Sequence, residues 1–196
     1  MGEPKHLLML GGQTLLDRAV SRLRPYVGRV VIAGGNAPPD HPDSVPDVFP
    51  SGGPLAGIHA ALAATSDKCA VVACDMPFFS PALLTHMNET MGASLVAVPK
   101  VGPYFEPLHA VYRPECASEI AALFEEVTAA PGRTCAVKTR LPRVADLFSR
   151  VRVHVIEEDA IREFGDPATI FFNINRPGDY EAAVRALEIL PEPLES

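Results

Sequence analysis

Apolar residues recur along this chain with two alternating spacings. Leu15, Leu16, Ala19, Val20 and Leu23 return with helical period and stop at Pro25. Thr14, with Asp17 three residues on, makes a start resembling a capping box. Leu55, Ile58 and Leu62 share a helical face behind Pro54. Ser80-Pro81 pairs a good N-cap with a good first helical residue and predicts a helix through Met87. Helices are also predicted over 114–126 and 177–190, the second capped by Asn175 or Arg176, of which Asn caps far better. Between them lie short apolar runs. Residues 27–33, ending at Gly34-Gly35, read as a buried strand. Residues 70–74 form a continuous apolar strand of the kind covered on both faces. Residues 94–98 and 107–112 read as further strands, and Val151, Val153 and Val155 alternate with Arg152 and His154 as in a half-exposed one. Residues 171–175 read as a short strand or bridge, and Gly11-Gly12-Gln13-Thr14 as a turn, since it lacks the spacing and the Lys of a phosphate loop. The alternation points to an α/β sandwich with a mainly parallel sheet. No repeat, low-complexity tract or boundary divides residues 1–196, so one domain is expected.

Composition narrows the class. A chain of 196 residues with 47% apolar and 21% charged residues suits one globular domain with a substantial core. The 20 prolines are scattered and read as loop punctuation. A net charge of −7 with no basic block disfavours binding to a nucleic-acid backbone. The apolar run 69–74 is far shorter than the ~20 residues of a membrane helix. Met1 to Lys5 lacks the basic start and apolar run of a secretion signal. Cys69, Cys74, Cys116 and Cys135 form no C-x-x-C pair or zinc spacing, which fits a reducing cytoplasm. Neither nucleic acid nor membrane is an expected partner.

Asp75 is the first residue past strand 70–74, and Met76-Pro77 turns the chain there. In a parallel α/β sheet that rim is where ligands bind. A carboxylate so placed could hold a hard cation such as Mg²⁺, and through it phosphate oxygens; it could equally be an ordinary turn residue. Residues 51–57, Ser-Gly-Gly-Pro-Leu-Ala-Gly, place glycines before a helix, where backbone N–H groups can approach an anion; the plainer reading is a Gly-rich loop. Asp47 alone is a turn carboxylate, and Lys5 alone a solvated surface residue. Asn173 and Asn175, two apart on extended chain, would point the same way and could build a polar site, or be one buried Asn and one cap. The six His residues form no ligand pair, and residues 157–159 read as a solvated acidic turn.

Taken in order, M-G-E-P-K (Met1 to Lys5), V-x-D (Val45 to Asp47), G-P-L-A-G (Gly53 to Gly57), C-D-M-P-F (Cys74 to Phe78), E-P-L-H-A-V-Y (Glu106 to Tyr112) and F-x-N-I-N-x-P (Phe171 to Pro177) span nearly the whole chain. This set resembles the molybdenum cofactor guanylyltransferases of the MobA type. The resemblance implies a three-layer Rossmann-like nucleotidyltransferase fold. It implies transfer of GMP from MgGTP to the phosphate of molybdopterin, with release of pyrophosphate. It would put Lys5 on the nucleotide phosphates and Asp47 in the guanine nucleotide site. Asp75 would bind Mg²⁺, and Gly53, Pro54 and Gly57 would line the same cleft. Asn173 and Asn175 would face the site on the metal or pterin side. GTP and molybdopterin are the implied small-molecule partners, with molybdoenzymes or their chaperones a further class.

Two departures accompany the resemblance. The family opens with a strand and a glycine-rich loop, L-A-G-G-x-S-x-R, directly before M-G, whereas this chain begins at M-G; the expectation is that Met1 is not the natural start. Arg176 stands where the family often has a capping Thr. Two rival readings remain: a cytidylyltransferase of the same fold using CTP, against which the F-F-N-I-N-R-P segment weighs, and a non-catalytic relative that binds a pterin or a molybdoenzyme.

Overall fold

The computed structural model describes residues 4–34, 37–129 and 140–189. Met1 to Glu3, Gly35, Cys135 and Leu190, all named in the reading above, lie outside them. A 3-10 turn, Lys5–Leu7, leads into a hairpin of β1 (Met9–Leu10) and β2 (Gln13–Thr14). Gly11 and Gly12 sit between the strands at φ 61° and 81°. A tight two-residue hairpin turn needs positive φ at both positions, which is why glycines occupy them. Helix α1 (Leu15–Leu23) follows, and Thr14 caps it by accepting a hydrogen bond from the Asp17 N–H at 3.0 Å. Strands β3 (Ile32–Ala33) and β4 (Ser44–Val45) form a short parallel pair. The apolar run from Val27 is therefore strand only at its end, because it finds a partner among the described residues only there.

Helix α2 (Pro54–Ala63) leads to β5 (Cys69–Val72), and α3 (Pro81–Thr90) is capped by Ser80 as its sequence predicts. Next come β6 (Val96–Val101), β7 (Tyr104–Phe105), β8 (His109–Tyr112), α4 (Cys116–Ala129), α5 (Val144–Phe148) and β9 (Val153–Ile156). Short helices α6 (Glu158–Ile161) and α7 (Pro167–Ile170) precede the closing helix α8 (Pro177–Ile189).

The main sheet has the order β5-β8-β6-β7, with β9 on the other side of β6. Strands β5, β6 and β9 run in one direction. β8 is inserted between β5 and β6 in the reverse direction, so the β5–β8 and β6–β8 ladders are antiparallel and only β6–β9 is parallel. Apolar periodicity reports burial and not strand direction, so this reversal left no mark on the pattern. Successive side chains alternate across the sheet. Val96, Val98, Ala110 and Tyr112 face α2, α4 and α5 with Leu55, Ile58, Leu62, Ile120 and Leu147. Ala97 and Val111 face the opposite layer, where Met76, Phe79, Leu83, Met87, Ile161 and Ile170 pack. These are the three expected layers. β5 packs on both faces as expected, Cys69 and Val71 against one layer and Ala70 and Val72 against the other, but it is only half-buried, since among the described ladders it pairs on one edge only.

A third, smaller cluster brings the two ends of the described chain together. Leu10, Leu15, Ile174 and Ala183 are buried against one another, with Tyr180 and Leu187 at their edge. The Tyr180 hydroxyl donates to the Met9 carbonyl at 2.6 Å. Helix α8 thus clamps the first hairpin. Residues 171–175 are irregular and not the strand or bridge expected: Phe171 closes α7, the N–H groups of Phe171 and Phe172 bond back to Pro167 and Thr169 of that helix, and the Ile174 N–H bonds to the Asp75 carbonyl, so no ladder forms. The residue before α8 is Arg176, yet the cap comes from Asp179, whose carboxylate accepts the N–H groups of Asn175 and Arg176 at 2.9 and 2.8 Å. An acid three residues into a helix is the sequence signal for this arrangement.

Candidate active site

Three parts of the chain converge past the carboxyl end of β5. The turn after that strand carries Asp75. The 3-10 turn before the first hairpin carries Lys5, and the segment leading into α8 carries Asn175. The Lys5 ammonium donates to Asp75 Oδ2 at 2.8 Å and to Asn175 Oδ1 at 2.6 Å. The small cluster that joins the first hairpin to α8 explains why residues 170 apart in sequence can meet. The Ile174 N–H completes the junction by donating to the Asp75 carbonyl at 2.9 Å.

The turn carrying Asp75 is held from behind by α1. Arg22 donates to the Phe79 carbonyl at 2.8 Å and lies over the Phe79 ring, 5.2 Å from its centre. Arg18, buried one helical turn earlier, donates to the Pro77 carbonyl at 3.4 Å. These two arginines were missed in the sequence. Their signal was a pair of cations spaced i, i+4 on a short helix that otherwise carries mostly apolar residues. His109, fully buried, accepts the Ser80 N–H through Nε2 at 3.2 Å and meets the Phe171 ring edge-on, 5.3 Å between centres. It ties the Asp75 turn to the segment that delivers Asn173 and Asn175. Burial pushes its pKa down to about 4, so it is a neutral tie at physiological pH. Burial, followed by the Asp75 charge, raises the Cys74 thiol above its ordinary value, which argues against a thiolate nucleophile beside the site.

Not every residue expected at the site joins this cluster. The Asn173 amide donates to the Phe171 carbonyl at 3.0 Å and is half-buried, so it braces its own segment. Asp47 lies in the loop between β4 and α2, and no hydrogen bond among the described residues links it to Lys5 or Asp75. Its Oδ1 is nonetheless buried with no partner among the described residues, a costly state. Gly53 precedes α2 at φ 67°, ψ −156°, a conformation open almost only to glycine, and the space where its Cβ would stand is empty. Pro54 occupies the first helical position, exposed, and no side chain caps the helix. Gly57 serves packing: a Cβ there would come within 3.4 Å of the Gly34 backbone, so α2 lies close on the end of β3.

The cluster suits Mg²⁺ as part of a nucleotide complex. Its donors are oxygens only, a carboxylate and an amide carbonyl, and they already converge on a positive centre, the Lys5 ammonium. No group of three or more His, Cys, Asp or Glu able to hold a metal ion occurs among the described residues. One carboxylate plus substrate phosphates and water is, however, the usual way this ion is bound.

A family model, "MobA-like NTP transferase domain", matches residues 1–144. The chain is 39% identical over 183 residues to a protein of Pelotomaculum thermopropionicum named "Probable molybdenum cofactor guanylyltransferase", covering 91% of this chain and 83% of the relative. It is 31% identical over 206 residues to the "Molybdenum cofactor guanylyltransferase" of Rhizobium meliloti, covering 98% and 88%. Among solved structures it is similar to molybdopterin-guanine dinucleotide biosynthesis protein A from Archaeoglobus fulgidus, at 25% identity and a TM-score of 0.76 over 96% of this chain and 93% of that one. It also shares its fold with 2-C-methyl-D-erythritol 4-phosphate cytidylyltransferase from Thermus thermophilus, at 21% identity and a TM-score of 0.64 over 95% of each chain.

Proposed function

The chain belongs to the MobA-like NTP transferase family, and on that footing we propose that it transfers GMP from GTP to the terminal phosphate of molybdopterin, releasing pyrophosphate. The observation that carries this reading is the meeting of Lys5, Asp75 and Asn175 at the carboxyl end of β5. The similarity to proteins named as molybdenum cofactor guanylyltransferases supports the choice of substrates.

The attacking group would be a phosphate monoester, already anionic near neutral pH, so the chain need not supply a general base. The barrier lies in bringing one anion onto the phosphorus of another, and positioning and charge neutralisation are what lower it. Lys5 supplies a compact cation for phosphate oxygens. Asp75 and Asn175 orient that ammonium until the nucleotide arrives, and the Ile174 N–H fixes the backbone at Asp75. Asp75, with the nucleotide phosphates, would hold Mg²⁺, which supplies further neutralisation of the triphosphate when bound. The N-terminal end of α2, opened by Gly53, offers backbone N–H groups and the positive end of a helix to the same nucleotide. Asp47 would offer its carboxylate to the guanine N–H groups.

The test is turnover with the full chain, molybdopterin and Mg²⁺, supplying GTP or CTP in parallel. The guanine dinucleotide and one pyrophosphate per product are expected with GTP. A cytosine dinucleotide in preference, or no product with either nucleotide, would overturn the proposal.

A further inference from the structure

A cavity of about 290 Å³ lies near the site, walled by Val101, Pro167, Ala168 and Phe171, with Glu106, Glu158, Arg162 and Asp166 as its polar lining. Most of these polar groups are already engaged. Glu158 accepts from Arg162 and from the Gly102 N–H, and Asp166 accepts from the Ala168 N–H and the Thr169 hydroxyl as the cap of α7. Glu106 differs. Its backbone is fixed, since its N–H donates to the Pro99 carbonyl and its carbonyl accepts from the His109 N–H. Among the described residues, nothing donates to its half-buried carboxylate. Burial raises its pKa from the ordinary carboxylate value, as expected for an acid removed from water without a compensating donor.

The cavity joins the site through one short piece of chain. Phe171 is its wall, and Asn175, four residues on, holds Lys5. Extended chain of that length spans at most about 14 Å. A single small molecule could therefore lay a flat ring in the cavity and bring a phosphate to Lys5.

We infer that this cavity holds the pterin ring, and that the Glu106 carboxylate reads its 2-amino-4-oxopyrimidine edge. That edge presents two adjacent N–H donors, from the amino group and the ring amide. A carboxylate accepts both, side by side, in the way it accepts a guanidinium fork. The apolar walls supply the faces that a flat heterocycle needs. Guanine carries the same edge, but the proposal above gives it Asp47 and the N-terminal end of α2, neither of which lines this cavity. Glu106 is thus assigned to the acceptor and not to the nucleotide. The inference rests on the proposed function and adds a specificity residue to it.

The experiment titrates 6-hydroxymethylpterin, followed by its own fluorescence, into the full chain and its Glu106→Gln variant. The matching 2,4-dioxo ring, 6-hydroxymethyllumazine, lacks the amino donor and serves as comparison. GTP affinity in the presence of Mg²⁺ and the thermal midpoint are measured on both proteins. The wild type should prefer the pterin by at least about tenfold. In Glu106→Gln, pterin affinity and that preference should fall by a similar factor, with GTP affinity and the midpoint unchanged. Equal pterin affinity in the two proteins, no preference in the wild type, or a loss that falls on GTP would each overturn the assignment. None of these readouts requires turnover, so an enzyme that fails to make the guanine dinucleotide refutes the proposed reaction separately.

Discussion

At the residue scale, two groups carry testable consequences. The Lys5 ammonium is bonded to Asp75 and Asn175 and is the cation proposed to meet the nucleotide phosphates. Lys5→Ala should weaken GTP binding by roughly 10-fold or more, the usual worth of a hydrogen bond to a charged group. Calorimetric titration of GTP checks this, and an unchanged dissociation constant would remove Lys5 from the nucleotide site. His109 makes a prediction about pH. Its folded pKa is near 4 and its unfolded value near 6.5. Between those limits the unfolded chain binds the extra proton and the folded one does not, so stability falls as the pH drops from about 6.5 to about 4. The contribution is on the order of 3 kcal/mol. Urea unfolding at successive pH values should show this loss, and His109→Gln should flatten it over that window. An equal slope in the variant would mean that His109 is protonated in the fold.

At the element scale, the turn into α2 is a constrained piece of backbone. Gly53 holds φ 67° and ψ −156°, where a side chain is strained even though the space around it is open. Gly53→Ala should cost roughly 1–3 kcal/mol of stability, read by urea unfolding. A change under about 0.5 kcal/mol, the scale of an ordinary surface substitution, would mean the turn relaxes freely. Much of this level was legible in the sequence. Thr14 with Asp17 and Ser80 with Pro81 marked helix starts because capping is local chemistry, written within four residues. Segment 171–175 was not legible as irregular chain. Its alternating apolar and polar residues imitate a strand, and only tertiary contacts decide that Ile174 turns into the small cluster while its N–H bonds to Asp75. The cap of α8 was legible in Asp179, an acid at the third helical position, and not in Asn175 or Arg176.

At the scale of the whole molecule, the sheet and its two helical layers put one rim to use. β5 and β6 end there and β8 begins there, so Asp75, Val101 and Glu106 come to the same side of the sheet. The reversed β8 matters for this reason: its start carries Glu106 and His109 to the rim, which a parallel strand would have placed at the opposite end. The layers could be read from apolar periodicity, and the direction of β8 could not. The site itself was half legible. Asp75 could be named from its place after a strand and Asn175 as one of two readings of its spacing from Asn173, whereas Lys5 gained meaning only through its likeness to a family motif. Their meeting depends on packing between the first hairpin and α8, which no local pattern records.

Asp75 is the proposed anchor of the reacting phosphates. The rate of guanine dinucleotide formation by Asp75→Asn, against wild type at saturating GTP, Mg²⁺ and molybdopterin, tests it most directly. A fall of at least about a hundredfold is expected, as when other charge-stabilising groups are removed from a reaction centre, with the thermal midpoint retained. A rate within a few-fold of wild type would contradict the account.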